Sequence, residues 1–352
     1  MIKIKKITFL VSILIGFNAC DDDIEFLDKE KYVYEIPQVD LTEDVRAGTY
    51  YYNYDVEDWE ENLAYTPILG EYDPLSPEVL DQQISWAESG GIDFFVFPWN
   101  GLDDDNLLNA FQTQAGASNV KMVIGYNTSH LNATNSSPLA GENLDRMLNE
   151  WALLAEEHLQ KDHYYKVNDR PVIVLSPLNL PSSRSNSIDY PTVVEALRNS
   201  LEQLGLNPYI IGELSTGWTA PVNFDEATLR SMDGIVLTNW STNTYDRAYA
   251  FFSYVDLSYQ NWKTSLEEVN VEYVPSIFPG YSNPGDESSY VIERSEKNYV
   301  SYLNIAKSSM GDSRIVLINS WNDFQKGTSL EPTMDYGTQY LEITKREFDV
   351  EE

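Results

Sequence analysis

The chain has 352 residues, a formal charge of −33 and a single cysteine. So acidic a surface repels nucleic acid and other polyanions, and one thiol forms no intrachain disulfide, which leaves a hydrophobic core to hold the fold. The length suits one large domain, because α/β barrels commonly exceed the usual domain size.

In chain order, Lys3, Lys5 and Lys6 precede an apolar run from Ile7 to Phe17 that ends at Asn18-Ala19-Cys20. The run is about half the length a bilayer span requires and reads as a secretion signal. Its end resembles a bacterial lipoprotein lipobox, with Phe17 where Leu is commoner. The resemblance implies acylation at Cys20 and a membrane anchor through that lipid; the alternative is a soluble secreted protein with an unpaired thiol. Asp21, Asp22 and Asp23 resemble the export tag of surface lipoproteins in Bacteroidetes, which implies an outer-membrane, cell-surface location, and a solvated acidic tether accounts for them as well. Removal of residues 1–19 takes away three lysines and no acid, so the mature chain is more acidic still. Residues 20–45 are polar, acidic and without period, and are read as a tether, so the domain is expected over residues 46–352.

Beyond the tether, short runs rich in Val, Ile, Phe and Tyr alternate with helical patterns. Eight strands are predicted: Gly48–Tyr52, Ile92–Phe97, Lys121–Tyr126, Pro171–Leu175, Tyr209–Leu214, Gly234–Thr238, Tyr273–Phe278 and Arg314–Ser320. Helices are predicted at Pro77–Ser89, with Val79, Leu80, Ile84 and Ala87 on one face, and at Tyr190–Leu204, with Val193, Val194, Leu197 and Leu201. A further helix is expected to start near Leu107, capped by Asp103-Asp104-Asp105-Asn106. Near-continuously apolar strands separated by helices indicate a parallel sheet covered on both faces. Eight of them favour closure into a (β/α)8 TIM barrel over an open sheet.

Such a barrel carries its chemistry on the loops that follow the strands. Those positions read Tyr51-Tyr52-Asn53-Tyr54, Trp99-Asn100, Tyr126-Asn127, Ser176-Pro177, Glu213, Asn239-Trp240, Pro279-Gly280-Tyr281 and Trp321-Asn322-Asp323. Aromatics mixed with Asn and carboxylates suit a sugar, whose apolar ring faces stack on indole or phenol while its hydroxyls need donors and acceptors. The expected substrate-binding set is therefore Tyr51, Tyr52, Trp99, Asn100, Tyr126, Asn239, Trp240, Tyr281, Trp321, Asn322 and Lys326, with Trp99, Trp240 and Trp321 lining one groove. Aromatics at strand ends also serve simply to close a barrel. His130, His158 and His163 form no metal-ligand motif, and His158 and His163 are expected at the surface. With no phosphate-cradling glycine loop and no Ser-His-Asp arrangement, neither metal nor cofactor is expected.

Three segments resemble the glycoside hydrolase family 99-like barrels, a group with endo-α-mannosidases, endo-α-mannanases, WbsX-like proteins and family-71-like glucanases. The first comprises Tyr50-Tyr51-Tyr52, Trp59, Pro67-Ile68-Leu69-Gly70, Tyr72-Asp73 and Gly91-Ile92-Asp93-Phe94-Phe95-Val96-Phe97-Pro98-Trp99-Asn100. The second is Pro275-Ser276-Ile277-Phe278-Pro279-Gly280-Tyr281, and the third runs from Ser320-Trp321-Asn322-Asp323 through Lys326-Gly327-Thr328 to Glu331-Pro332. In the family's last-strand pattern two glutamates three residues apart flank the scissile bond, the second as general acid/base. The first falls here on Asp323, a carboxylate one methylene shorter, and the second on Lys326, whose ammonium is a poor proton donor at neutral pH.

Glycoside hydrolysis ordinarily needs two carboxyl groups. Asp323 would be one, and Glu213 or Glu331 the other. The resemblance thus implies a hydrolase, endo-acting on an α-linked polysaccharide such as mannan. The alternative, prompted by Lys326, is a catalytically inactive surface glycan-binding protein. A nucleotide-sugar glycosyltransferase is the less favoured third reading, because an exported domain lacks that donor. Oligomeric state is not set by the sequence.

Overall fold

The computed structural model describes Val33 to Val350, apart from residues 56, 179, 181, 215–223, 239–249 and 287–288. Cys20, Asn239 and Trp240 thus lie outside the described residues. The strands are β1 (Arg46–Tyr50), β2 (Phe94–Trp99), β3 (Lys121–Asn127), β4 (Lys166–Val167), β5 (Arg170–Ser176), β6 (Tyr209–Leu214), β7 (Gly234–Leu237), β8 (Glu272–Val274), β9 (Ser276–Ile277) and β10 (Ile315–Ile318). All but β4 run parallel, in the order β8-β7-β6-β5-β3-β2-β1-β10-β9. β8 and β9 are one strand position interrupted at Pro275, which has no N–H to give the ladder. Its carbonyl still accepts from Leu317 N at 2.9 Å, so the sheet closes. Eight strand positions result, as the alternating pattern required, and the molecule is a (β/α)8 barrel. Its helices are α1 (Pro77–Ser89), α2 (Asp105–Gln112), α3 (Glu142–Leu154), α4 (Tyr190–Glu202), α5 (Glu226–Ser231), α6 (Phe251–Glu267), α7 (Glu296–Ser309) and α8 (Gln339–Phe348). Among the described residues no helix is long and apolar enough to cross a membrane.

Successive strand residues face opposite sides of a sheet, and the core divides accordingly. One apolar cluster holds Phe94, Val96, Val123, Val172, Val174, Tyr209, Ile211, Val236, Val274, Ile315 and Leu317 and no helix residue, so it fills the barrel interior. The other holds the alternate residues, among them Phe95, Phe97, Trp99, Ile124 and Tyr126, together with the helices' apolar faces. Burial of each large side chain contributes roughly 1.5–3 kcal/mol, and the interior has little slack: a Cβ on Gly48 would lie 2.1 Å from the Phe94 ring.

The predicted β1 overran the strand by two residues. Tyr52 leaves the sheet because the Asn322 side chain takes both its N–H (2.7 Å) and its carbonyl (2.9 Å). The stretch read as a tether is docked from Tyr34 onward, with the Tyr34 hydroxyl donating to Asp256 (2.6 Å) on α6 and Val39 N donating to Asn304 (2.9 Å) on α7. His158 is fully buried rather than exposed, because α3 continues as a wider π-turn over Ala155–Leu159 that carries the side chain inward. The Asp103-Asp104-Asp105 run does not cap α2 with a side chain. Instead Asp104 accepts from Asn100 N (2.6 Å) and Asp105 from the Trp99 indole (2.8 Å), which pins the end of β2.

Candidate active site at the barrel mouth

The interior alternation continues past the last interior apolar residues, and there it turns polar. Tyr50 and Tyr52 follow Gly48, Glu213 follows Ile211, Thr238 follows Val236 and Asn319 follows Leu317, each at the two-residue spacing that points inward. Tyr52, Glu213, Thr238 and Asn319 line a cleft of about 430 Å³ at the C-terminal mouth, and the loops after β1 and β10 complete it with Asn53, Tyr54, Asp58, Asp323, Gln325 and Lys326.

Glu213 accepts from the Tyr50 hydroxyl (3.0 Å) and from Thr238 Oγ1 (3.2 Å). Burial pushes its carboxyl above the ordinary range, and those two hydrogen bonds pull it partly back. Asp323 is held by its own loop: Ser320 Oγ accepts from its backbone N–H (2.7 Å), and its Oδ1 accepts from Lys326 N (3.0 Å). Burial pushes Asp323 up to about 6, against the Lys326 N–H and ammonium that favour its charge, with Asp58 pushing upward again. Burial of the hydroxyl, then the charges of Asp323 and Glu213, raise Tyr52, so the phenol stays a neutral donor in the cleft. Lys326 is in the cleft, and among the described residues its ammonium has no carboxylate within 4.0 Å. Three carboxyls (Asp58, Glu213 and Asp323), two phenols (Tyr52 and Tyr54) and one ammonium thus converge in a cleft of ligand-site size.

Of the residues expected from sequence, the structure brings together Asp323, Glu213, Tyr52 and Lys326. It does not bring Glu331. That carboxyl is fully buried behind the cleft, where Oε2 accepts from Tyr72 (2.9 Å) and Gln83 (3.0 Å), and burial pushes it up to about 8. Asn322 is likewise buried and joins this network through Tyr72, at 3.0 Å, while clamping Tyr52.

The expected groove of aromatics is corrected as well. Trp99 and Tyr126 face the helices, stack on one another at 5.1 Å and are fully buried; Tyr126 stacks in turn on Trp151. Trp321 is buried against Phe95, Tyr51 against Phe97, and Tyr281 beneath Tyr290. For Tyr51, Trp99 and Tyr126 strand alternation is the reason: the same parity that aims Glu213 inward sends Trp99 outward, whereas Trp321 lies beyond the end of β10. Asn100 lines a separate outer groove of about 680 Å³ beside α3. Asp58, Thr238, Asn319 and Gln325 were missed; strand parity marks Thr238 and Asn319, whereas nothing in the local sequence marks Asp58 or Gln325.

A family model described as glycosyltransferase WbsX matches residues 65–344. The chain belongs to the WbsX family. No curated protein matches this WbsX-family chain significantly. Among solved structures, it is similar to a glycoside hydrolase-like protein at 24% identity and TM-score 0.80, over 92% of this chain and 99% of that one. It is similar also to a glycoside hydrolase family 99 endo-α-mannosidase from Bacteroides thetaiotaomicron, at 16% identity and TM-score 0.64, over 87% and 97% of the two chains. An endo-β-1,4-mannanase from Thermotoga petrophila follows at 9% identity and TM-score 0.53, over 88% and 78%. These likenesses establish a glycoside hydrolase-like fold related to the family 99 endo-α-mannosidases.

Proposed function

We propose that this WbsX-family protein hydrolyses a glycan in the mouth cleft, with Glu213 and Asp323 as the carboxyl pair. The observation that carries the reading is the convergence of these two carboxyls, from β6 and from the loop after β10, in one cleft with Tyr52. Glycosyl transfer needs one carboxyl protonated to assist the leaving oxygen and one ionised on the sugar. Their surroundings divide those roles. Glu213 has only neutral donors, Tyr50 and Thr238, so it is the proton donor. Asp323 has the Lys326 N–H and the ammonium field, so it is the ionised partner. Lys326 thereby stabilises the base at a position where the family pattern supplies an acid. A carboxyl pair of this kind transfers a glycosyl group to water or to a sugar alike, so the family's name is compatible with this chemistry.

α-Linked mannan is the first substrate to test, in line with the endo-α-mannosidase relative, and endo action is part of the proposal. The proposal includes an outer-membrane, cell-surface location through acylation at Cys20, which rests on the signal, the lipobox-like ending and the acidic run; a fatty-acid analogue should label wild type and not Cys20→Ala. The decisive assay is release of reducing ends from α- and β-linked glycans by wild type, Glu213→Gln and Asp323→Asn. Each substitution should remove 10²- to 10⁴-fold of the rate, and cleavage untouched by both would refute the pair. A second reading, a silent glycan binder, is favoured by Lys326 itself. Binding without cleavage, with slow hydrolysis appearing in Lys326→Glu, is its signature.

A further inference from the structure

A second hollow of about 640 Å³ adjoins the catalytic cleft and shares Asn53 and Tyr54 with it. It lies between the loops after β1 and β2. Half-buried Trp59 lines it, held by its indole N–H, which donates to Tyr72 O at 3.2 Å, and by stacking of one ring face on Tyr54 at 4.5 Å. Asp55, Glu71, Asp73, Asp103 and Asn106 line it with the apolar Pro74, Leu75 and Leu107, and no lysine or arginine does. The side chains of Glu71, Asp103 and Asn106 are exposed, and none hydrogen-bonds within the described protein.

The geometry points to a distal sugar-binding site: we infer that a neutral glycan chain runs from the cleft over the Asn53–Tyr54 rim and seats a further unit on Trp59. The inference rests on the cleft being a glycan site. A hexose offers an apolar ring face to indole, and its hydroxyls donate to carboxylates. Asn106 adds a donor and an acceptor. A wall of carboxylates with no cation repels uronates and sulfated sugars, so the chain it takes is uncharged. Volume supports the same ligand, because each hollow by itself falls within the ~300–1,000 Å³ typical of ligand sites. Sequence spacing gave no hint of it, since Trp59, Glu71 and Asp103 meet only when the two loops fold over the rim.

The test is calorimetric titration of the full chain carrying Asp323→Asn, so that ligand is not cut, with α-linked manno-oligosaccharides and β-linked gluco-oligosaccharides of two and four units. Affinity for the preferred series should rise at least tenfold from the disaccharide to the tetrasaccharide. Adding Trp59→Ala should erase that gain and leave disaccharide binding unchanged, while Trp59→Phe keeps most of it. Asn106→Ala, at an exposed position, should lower tetrasaccharide affinity about threefold and serves as the arbiter if Trp59→Ala fails to fold. A tetra-uronate should bind at least tenfold more weakly than the neutral tetrasaccharide. Equal affinity for both lengths, or tetrasaccharide binding indifferent to Trp59→Ala and Asn106→Ala, overturns the distal site and leaves the cleft reading standing. Uronate binding as tight as neutral binding overturns the assigned ligand class. Absence of any oligosaccharide binding, together with no cleavage by wild type, overturns both readings.

Discussion

Glu331→Gln tests whether the buried carboxyl behind the cleft is a neutral structural group. Glu331 is fully buried, its Oε2 accepts two hydrogen bonds, and burial holds its pKa at about 8. In the unfolded chain it titrates at the ordinary carboxylate value. Below about 4.5 both states carry the proton and the group's contribution is intact. As pH rises from there toward 8 the unfolded chain releases the proton while the folded chain keeps it. At roughly 1.4 kcal/mol per pH unit the folded state loses at most about 5 kcal/mol across that window. Glutamine has the same shape, keeps an oxygen for Tyr72 and Gln83, and never ionises. The variant should therefore match wild type within about 1–2 kcal/mol near pH 5, the worth of one altered hydrogen bond, and exceed it in stability by pH 8. Urea midpoints from pH 5 to pH 9 measure this directly. Parallel curves for the two proteins would show that Glu331 is not held neutral by burial.

The remaining predictions concern the cleft and its supports. Asp58→Asn removes a negative charge that raises Asp323, so the ionisation near 6 should move to lower pH in the pH–rate profile, and an unmoved inflection would dissociate Asp58 from Asp323. Asn322→Ala cuts the clamp on Tyr52 and the bond to Tyr72; it should cost about 2–4 kcal/mol in chemical denaturation and lower activity by releasing Tyr52. Trp99→Ala should cost about 3–5 kcal/mol of stability as a core truncation, with glycan affinity of the folded fraction unchanged, because the ring is stacked on Tyr126 and fully buried.

The sequence alone determined the barrel. Alternating apolar strands and amphipathic helices are local patterns, and an α1 of Pro77–Ser89 follows from its apolar spacing without any tertiary contact. Asp323 and Glu213 were legible for the same reason, as polar residues at strand ends on a fold that puts such ends at its mouth. Which aromatics reach the cleft was harder, because a strand end aims its side chain inward or outward by parity. A one-residue difference in where a strand is counted from reverses the answer, and so Trp99 and Tyr126 belong to the core while Tyr52 opens to the cleft. Glu331 and Asp323 look alike in sequence as two carboxyls of one loop. Only the tertiary structure separates them, since the burial of Glu331 in the Tyr72–Gln83 network comes from segments distant along the chain. The meeting of Asp58 with Asp323, and of Trp59 with Asp103, has the same origin: contacts between loops are set by how the barrel brings its strand ends together, and no local period encodes them.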